Sequence, residues 1–325
     1  MSARTWRGLR GARDVAAEGG VVTRRADKGR RFVVVRPGPL ATVQDAGRRG
    51  VAALGVPRAG ALDEPAYRWA NALVGNGAGA AVVEATFGNV ALRAVGGDAW
   101  VAVTGAPAPV RVGGRAAAWG AAVRVREGEL VEVGAVSAGL RCYLAVDGGF
   151  DVPPVLGSRS ADLLSGLGPA PLAPGMTLPL GTPQPGTGPL HADWLPLPAP
   201  PGELLLRLAP GPRRDWFEAD ALAGLATARY RVSPASNRIG LRLTDGPPLV
   251  RRAGLGELPS EGMVLGAVQV PPDGLPVVFL ADHPTTGGYP VVGVVPEEDL
   301  AAAAQAVPGI RVRFLPVGAR EGRAG

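Results

Sequence analysis

Lysine is nearly missing from this chain: Lys28 is the only one in 325 residues. The body beyond it therefore has no P-loop lysine, no Schiff-base lysine and no lysine to carry biotin or lipoate. Cysteine is as scarce. Cys142 stands alone, which excludes an internal disulfide and fits a reducing compartment, so a cytoplasmic location is expected. The two histidines, His191 and His283, have no Cys or His partners at ligand spacing, and no metal site is expected. His191 lies in a Pro-rich stretch and reads as solvated. His283 reads as a loop histidine more than as a catalytic base, because no nucleophile is visible beside it. No run reaches the roughly 18 apolar residues of a membrane span, and the first residues contain no signal-peptide core.

The formal net charge of +6 suggests nucleic acid until the charge is located. Residues 1–31 hold nine basic residues against Asp14, Glu18 and Asp27, so the excess sits there and the remaining body is neutral. A basic binding face for nucleic acid is not expected. That leading stretch, residues 1–31, reads as a disordered basic extension or as an over-extended start of the reading frame.

Glycine (49) and proline (33) make up about a quarter of the chain, yet they are dispersed between short apolar runs. Many short strands joined by tight turns is the reading that follows. Val123 to Val133 alternates around Glu127-Gly128, and Val268 to Leu280 turns at Pro271-Pro272-Asp273-Gly274; both predict hairpins. Helices are few. Ala66, Trp69, Ala70, Leu73 and Val74 recur at helical spacing after Asp63 as N-cap, with weaker helices expected at 214–226 and 296–306. A Pro-dense run between Gly181 and Gly202 reads as a linker, dividing the body into residues 32–190 and 200–318.

Four loops carry polar chemistry. The sequence Asp282-His283-Pro284-Thr285-Thr286-Gly287-Gly288-Tyr289-Pro290 puts two hydroxyls and two glycines at a strand end, as an anionic ligand requires, although taken alone such a run is explained better by a plain turn. Thr42-Val43-Gln44-Asp45-Ala46-Gly47-Arg48 sets an amide, a carboxylate and a guanidinium around a glycine. Thr104-Gly105-Ala106 again joins a hydroxyl to a glycine. Ser158-Arg159-Ser160 places between two serines an arginine able to fork onto a carboxylate or phosphate.

These motifs, with Gly55-Val56-Pro57, Ala59-Gly60-Ala61-Leu62-Asp63, Ala145-Val146-Asp147-Gly148-Gly149, Ser236-Asn237-Arg238, Gln269-Val270-Pro271-Pro272-Asp273-Gly274 and Thr285 to Pro290, resemble in wording and order the KipA family. That family is also called allophanate hydrolase subunit 2, biotin-dependent carboxyltransferase, or the 5-oxoprolinase C-subunit. The resemblance covers residues 32 to 318. It departs at Asn237, where an Asp is common, and at Ile239, where a Met is common.

The resemblance implies a mainly β fold of two cyclophilin-like β-barrel domains with a few short helices. It also implies a subunit of an ATP-dependent 5-oxoprolinase that opens 5-oxo-L-proline to L-glutamate. Its partners would be a KipI-like B-subunit plus a first subunit, with ATP as co-substrate of the complex. Within that reading Arg159, flanked by Ser158 and Ser160, takes an anionic group. Thr285, Thr286, Gly287, Gly288 and Tyr289, with Thr104 and Gly105, supply donors; Asp45, Glu84 and Thr286 serve catalysis; Gln44, Arg48 and Gln269 orient the substrate. One alternative is a carboxyltransferase component acting on urea or a related amide, with biotin on another chain. Another is a non-catalytic binder that antagonises a KipI-like kinase inhibitor.

Overall fold

In Val82–Thr86, period-two alternation sends Val83 and Ala85 to one face and Glu84 to the other. The computed structural model of the chain describes residues 29–190 and 199–317. There this strand lies second in a five-stranded antiparallel sheet ordered Leu40–Gln44, Val82–Thr86, Arg141–Val146, Ala99–Gly105 and Ala122–Val125. A six-stranded sheet runs in the order Thr177–Pro179, Arg31–Arg36, Gly88–Val95, Leu130–Ala135, Val110–Val112 and Arg115–Ala117. The two share one core, to which the first gives Val43, Val83, Val101 and Leu144 and the second Phe32, Val34, Leu92 and Val131.

The second half closes into a seven-stranded barrel: Glu203–Pro210, Val291–Val294, Ala267–Gln269, Val277–Phe279, Gly240–Thr244, Tyr230–Val232 and Arg311–Pro316. Parallel pairing of Glu203–Pro210 with Arg311–Pro316 completes the ring and leaves it no free edge. Leu204, Leu206, Tyr230, Val268, Val278, Val312 and Phe314 fill it. The fold is thus mainly β with short helices, as the sequence leads one to expect.

Helix α1 (Glu64–Leu73) starts where predicted: the Asp63 side chain accepts from the Ala66 N–H at 3.1 Å, and Pro65 occupies the first turn. Its apolar stripe of Ala66, Tyr67, Ala70 and Leu73 packs on Ala102, Tyr143 and Ala145, on the outer face of the five-stranded sheet. Helices α2 (Ala219–Thr227) and α3 (Glu297–Ala304) belong to the second half. The helix expected over 214–226 is interrupted, because Phe217 and Glu218 are extended between a 3₁₀ turn and α2, and Phe217 is fully buried as an anchor.

The 268–280 hairpin forms, with Val268 opposite Val278. The 123–133 hairpin does not. Ala122–Val125 pairs with Ala99–Gly105 in one sheet, while Leu130–Ala135 pairs with Gly88–Val95 in the other, so the Glu127-Gly128 turn carries the chain across the core edge. Arg30 and Arg31 also differ from the expected extension. Arg31 opens the first strand, and Arg30 pairs with Asp147 at 2.9 Å. Residues 1–28 of that extension, the central part of the Pro-rich run and His191 lie outside the described residues.

A buried ionic network locks the halves together. Arg238, 1% exposed, donates Nε and Nη2 to the Asp282 carboxylate at 3.0 and 2.9 Å, Nη2 to the Gly60 carbonyl at 2.7 Å, and Nη1 to Glu84 of the first half. Gln305 at the end of α3 reaches across as well, donating to Asp63 at 2.7 Å and accepting from the Leu140 and Arg141 amides. Replacing Arg238 by Met strands two buried carboxylates, at an expected cost of about 3–5 kcal/mol. Denaturant unfolding measures it: a wild-type free energy at unchanged m-value would show that the network does not hold the halves.

Candidate functional site

The residues singled out in the sequence gather into three places. The first is the end of Leu40–Gln44 and the loop after it. Asp45 Oδ1 accepts from the Ser158 and Ser160 hydroxyls, each at 2.6 Å, and from the Gly47 N–H at 2.8 Å, while Oδ2 accepts from the Arg159 N–H at 2.6 Å. Four donors on one carboxylate leave it as an organiser of the Ser158-Arg159-Ser160 loop. The Arg159 side chain extends from that loop, braced by the Val152 carbonyl at 2.9 Å and by Asp151 at 2.7 Å, and stays about one-third exposed. Gln44 and Arg48 are buried behind it.

Glu84 and Thr104 lie elsewhere. Cross-strand register places Thr42, Glu84, Tyr143 and Thr104 in one row on the outer face of the sheet, beneath α1 and the second half. Burial raises the Glu84 carboxyl, but the Arg238 and Arg141 guanidiniums and the Leu62 amide outweigh it and hold it below its ordinary range. Both of its oxygens are taken, one by Arg238 and one by Leu62 N at 3.0 Å. Thr104 donates to the Ala66 carbonyl of α1 at 2.6 Å, and Gly105, at φ +84°, has no room for a Cβ, which would come within 2.5 Å of the Arg141 carbonyl. These residues build the scaffold here, with both Glu84 oxygens and the Thr104 hydroxyl proton already bonded within the chain.

The third place is the barrel rim. Thr286–Gly287 pairs with Glu261–Gly262 as a short ribbon, which leaves Thr286 and Tyr289 exposed. Gln269 runs beneath it, its amide donating to the Tyr289 carbonyl at 3.2 Å, and a Cβ on Gly287 would approach that amide to 2.7 Å. Arg251 lies 5.6 Å over the Tyr289 ring. His283 is buried and stacked on Phe279 at 5.8 Å, with Nδ1 at 2.8 Å from the Pro284 carbonyl. That contact sets the tautomer with the proton on Nδ1. The loops of the first and third places meet at Leu163 N–H to Asp282, 3.2 Å, and at Ala59 N–H to the Ala281 carbonyl, 2.9 Å.

Between the halves opens a cleft of about 750 Å³, a ligand-sized volume. Ala59, Leu62, Trp69, Leu280 and Leu300 give it an apolar floor, and Asp45 reaches its edge. Ion pairs frame it: Arg58 with Glu297 at 2.8 Å across the halves, and Arg68 with Glu64 at 2.6 Å. Arg58 and the cleft itself escaped the sequence reading, and Arg238 entered it only within the Ser236-Asn237-Arg238 motif, without a role. The one available signal was Glu84, a charge inside an otherwise apolar strand, which requires a cation somewhere. Asn237 resolves the departure noted above. Its Oδ1 accepts from the Ile239 N–H at 2.8 Å and the Gly240 N–H at 3.3 Å, a task that needs an oxygen and no charge.

Comparison with known proteins follows the same outline. Residues 54–316 match the family described as carboxyltransferase domain, subdomain A and B. Over 289 residues the chain is 36% identical to the 5-oxoprolinase C-subunit of Escherichia coli (strain K12), covering 87% of this chain and 90% of that one. Urea amidolyase of Lachancea kluyveri is 31% identical over 309 residues, covering 88% of this chain and 17% of its own length. Among solved structures, TTHA0988 superposes with a TM-score of 0.79 at 35% identity, covering 88% of this chain and 56% of that chain. The K. lactis urea amidolyase gives 0.78 at 30% identity, covering 88% and 19%. The chain thus spans about half the length of the first structure and a fifth of the second.

His283 provides a pH test of the rim. Burial lowers its pKa below the ordinary 6.5; the Pro284 carbonyl and Asp282 oppose the shift and Arg58 adds to it. The unfolded chain therefore binds the proton more readily, and stability falls as pH drops through and below 6.5. Replacing His283 by Gln removes that part of the slope in unfolding measurements between about pH 5 and 7.5. Identical slopes in the two proteins would show that the ring is open to water.

Proposed function

The chain belongs to the carboxyltransferase domain family of subdomains A and B, and from that premise we propose that it is a subunit of an ATP-dependent 5-oxoprolinase. The carrying observation is the end-to-end correspondence with a 5-oxoprolinase C-subunit, 87% of one chain against 90% of the other. In the urea amidolyases the matching region is a small part of a much longer protein.

The chemistry is difficult because the lactam is resonance-stabilised, so ATP activates the carbonyl oxygen before water attacks. Such a site needs dense donors for a carboxylate and a phosphoryl group. Arg159, held out on a loop that Asp45 organises, is suited to an anion, and Thr285 to Gly288 offer hydroxyl and main-chain donors. Asp45 and Glu84 serve here as organisers of these groups. With the body free of lysine, the nucleotide site is completed by the two partners, one KipI-like and the other the first subunit.

A second reading has its own support in the 31% identity to urea amidolyase: carboxyl transfer to urea or a related amide, with biotin brought by another chain. Co-expression with the neighbouring subunits and assay of ATP-dependent glutamate release decides between them. In that assay Arg159→Ala and Thr286→Val are expected to lose roughly tenfold or more in kcat/KM with the complex intact. Wild-type rates in both would remove them from the site, and ring opening by the chain alone would overturn the division of labour. Biotin-dependent carboxylation of urea without glutamate release would favour the second reading.

A further inference from the structure

A guanidinium withdrawn from water without a counter-ion is costly for any fold to hold. Arg48 is 2% exposed. Its Nε donates to the Val155 carbonyl at 3.0 Å and its Nη2 to the Ser160 carbonyl, while Nη1 is buried with no partner at all. The ion pairs formed among the described residues do not include it, and the carboxylate three residues away, Asp45, is committed to four other donors. Two carbonyls solvate this cation without neutralising it. Gln44, fully buried, shows the complementary defect: its amide nitrogen donates to Thr42 Oγ1 and to the Ala161 carbonyl, and its Oε1 is unpartnered. The engaged nitrogens, Arg48 Nη2 and Gln44 Nε2, donate to carbonyls of consecutive residues, Ser160 and Ala161, so the two side chains with an unpartnered atom each converge on one stretch of main chain.

Arg48 does not line the cleft, but its main chain backs the cleft wall. Asp45, Ala46, Arg58 and Ala59 form the cleft wall, and the Arg48 N–H donates to the Arg58 carbonyl at 2.6 Å. That wall runs through left-handed backbone at Gly47 (φ +83°), Ala59 (φ +51°) and Gly60 (φ +97°). Ala59 is strained there, since it carries a Cβ, and non-glycine residues hold such a conformation only where their surroundings impose it.

We propose that Arg48 is the anion anchor of the cleft: Nη1 takes the carboxylate of a small ligand once the wall at Gly47 and Ala59-Gly60 shifts, and Gln44 Oε1 accepts an N–H of the same molecule. A cyclic amide with a carboxylate on the carbon next to its nitrogen presents that pair side by side. The assignment rests on the 5-oxoprolinase reading for its ligand, and on Arg48 alone for its charge.

Titration calorimetry on the full chain and on the co-expressed complex tests it with three probes: 5-oxo-L-proline, 2-pyrrolidinone, which lacks the carboxylate, and inorganic phosphate. The expected result is that 5-oxo-L-proline binds at least tenfold more tightly than 2-pyrrolidinone, and that Arg48→Met removes that advantage. Equal affinity for the two lactams, or full affinity in folded Arg48→Met, overturns the anchor. Phosphate binding that Arg48→Met abolishes, without any binding of 5-oxo-L-proline, keeps the anchor and sinks the 5-oxoprolinase reading. Absence of binding by both anions overturns the anchor even if the complex releases glutamate. Should Arg48→Met not fold, Arg159→Ala decides in the same titration: a carboxylate advantage that it retains leaves the anchor to Arg48, and one that it loses overturns the anchor.

Discussion

Arg238 between Asp282 and Glu84 is the contact on which the rest of the molecule depends. It is fully buried, comes from a loop of the second half, and closes on a carboxylate in the middle of a strand of the first. Burial alone disfavours its charge, but Asp282 and Glu84 outweigh that penalty and push its pKa upward, so the guanidinium stays ionised. A hydrophobic contact of equal size would hold the halves together in many relative orientations. A guanidinium fixed by two carboxylates and the Gly60 carbonyl permits one.

That fixed orientation is what creates the cleft. Its walls come from both halves, Ala59 and Trp69 on one side and Leu280 and Leu300 on the other. Asp282 ties them further by accepting from Leu163, beyond the Arg159 loop, and it lies three residues before Thr285 at the rim. The two donor-rich loops are therefore indexed to one another through a single buried carboxylate. A substitution at the lock is felt at both loops without touching either.

Much of this was legible in advance and some was not, for physical reasons. Local patterns were sufficient for α1, whose cap and stripe lie within a dozen residues, and for the 268–280 hairpin, whose strands meet across one turn. The 123–133 segment misled because alternation signals a strand with one buried face and does not say which sheet supplies its neighbour. Residue types in the site were readable, but their state was not. Asp45 and Glu84 have the right chemistry for catalysis, yet one is saturated by donors from a loop more than a hundred residues away and the other by an arginine 154 residues on. No sequence window contains those partners.

Polar groups in this chain thus divide by whether their bonding capacity is spent. Asp45, Glu84, Thr104 and Arg238 are held by bonds to other parts of the chain, which fixes their positions. Thr286 is exposed and Arg159 partly so, both on elements that the engaged group holds in place. Arg48 and Gln44 belong to neither class, for each is buried and each keeps one atom unpaired. A buried cation with no carboxylate partner, beside a strained wall and a ligand-sized cleft, is explained more simply by a bound anion than by tolerance of a defect. The cost of Arg48 in the empty protein is then the source of its preference for an anionic ligand, since binding supplies the missing counter-charge.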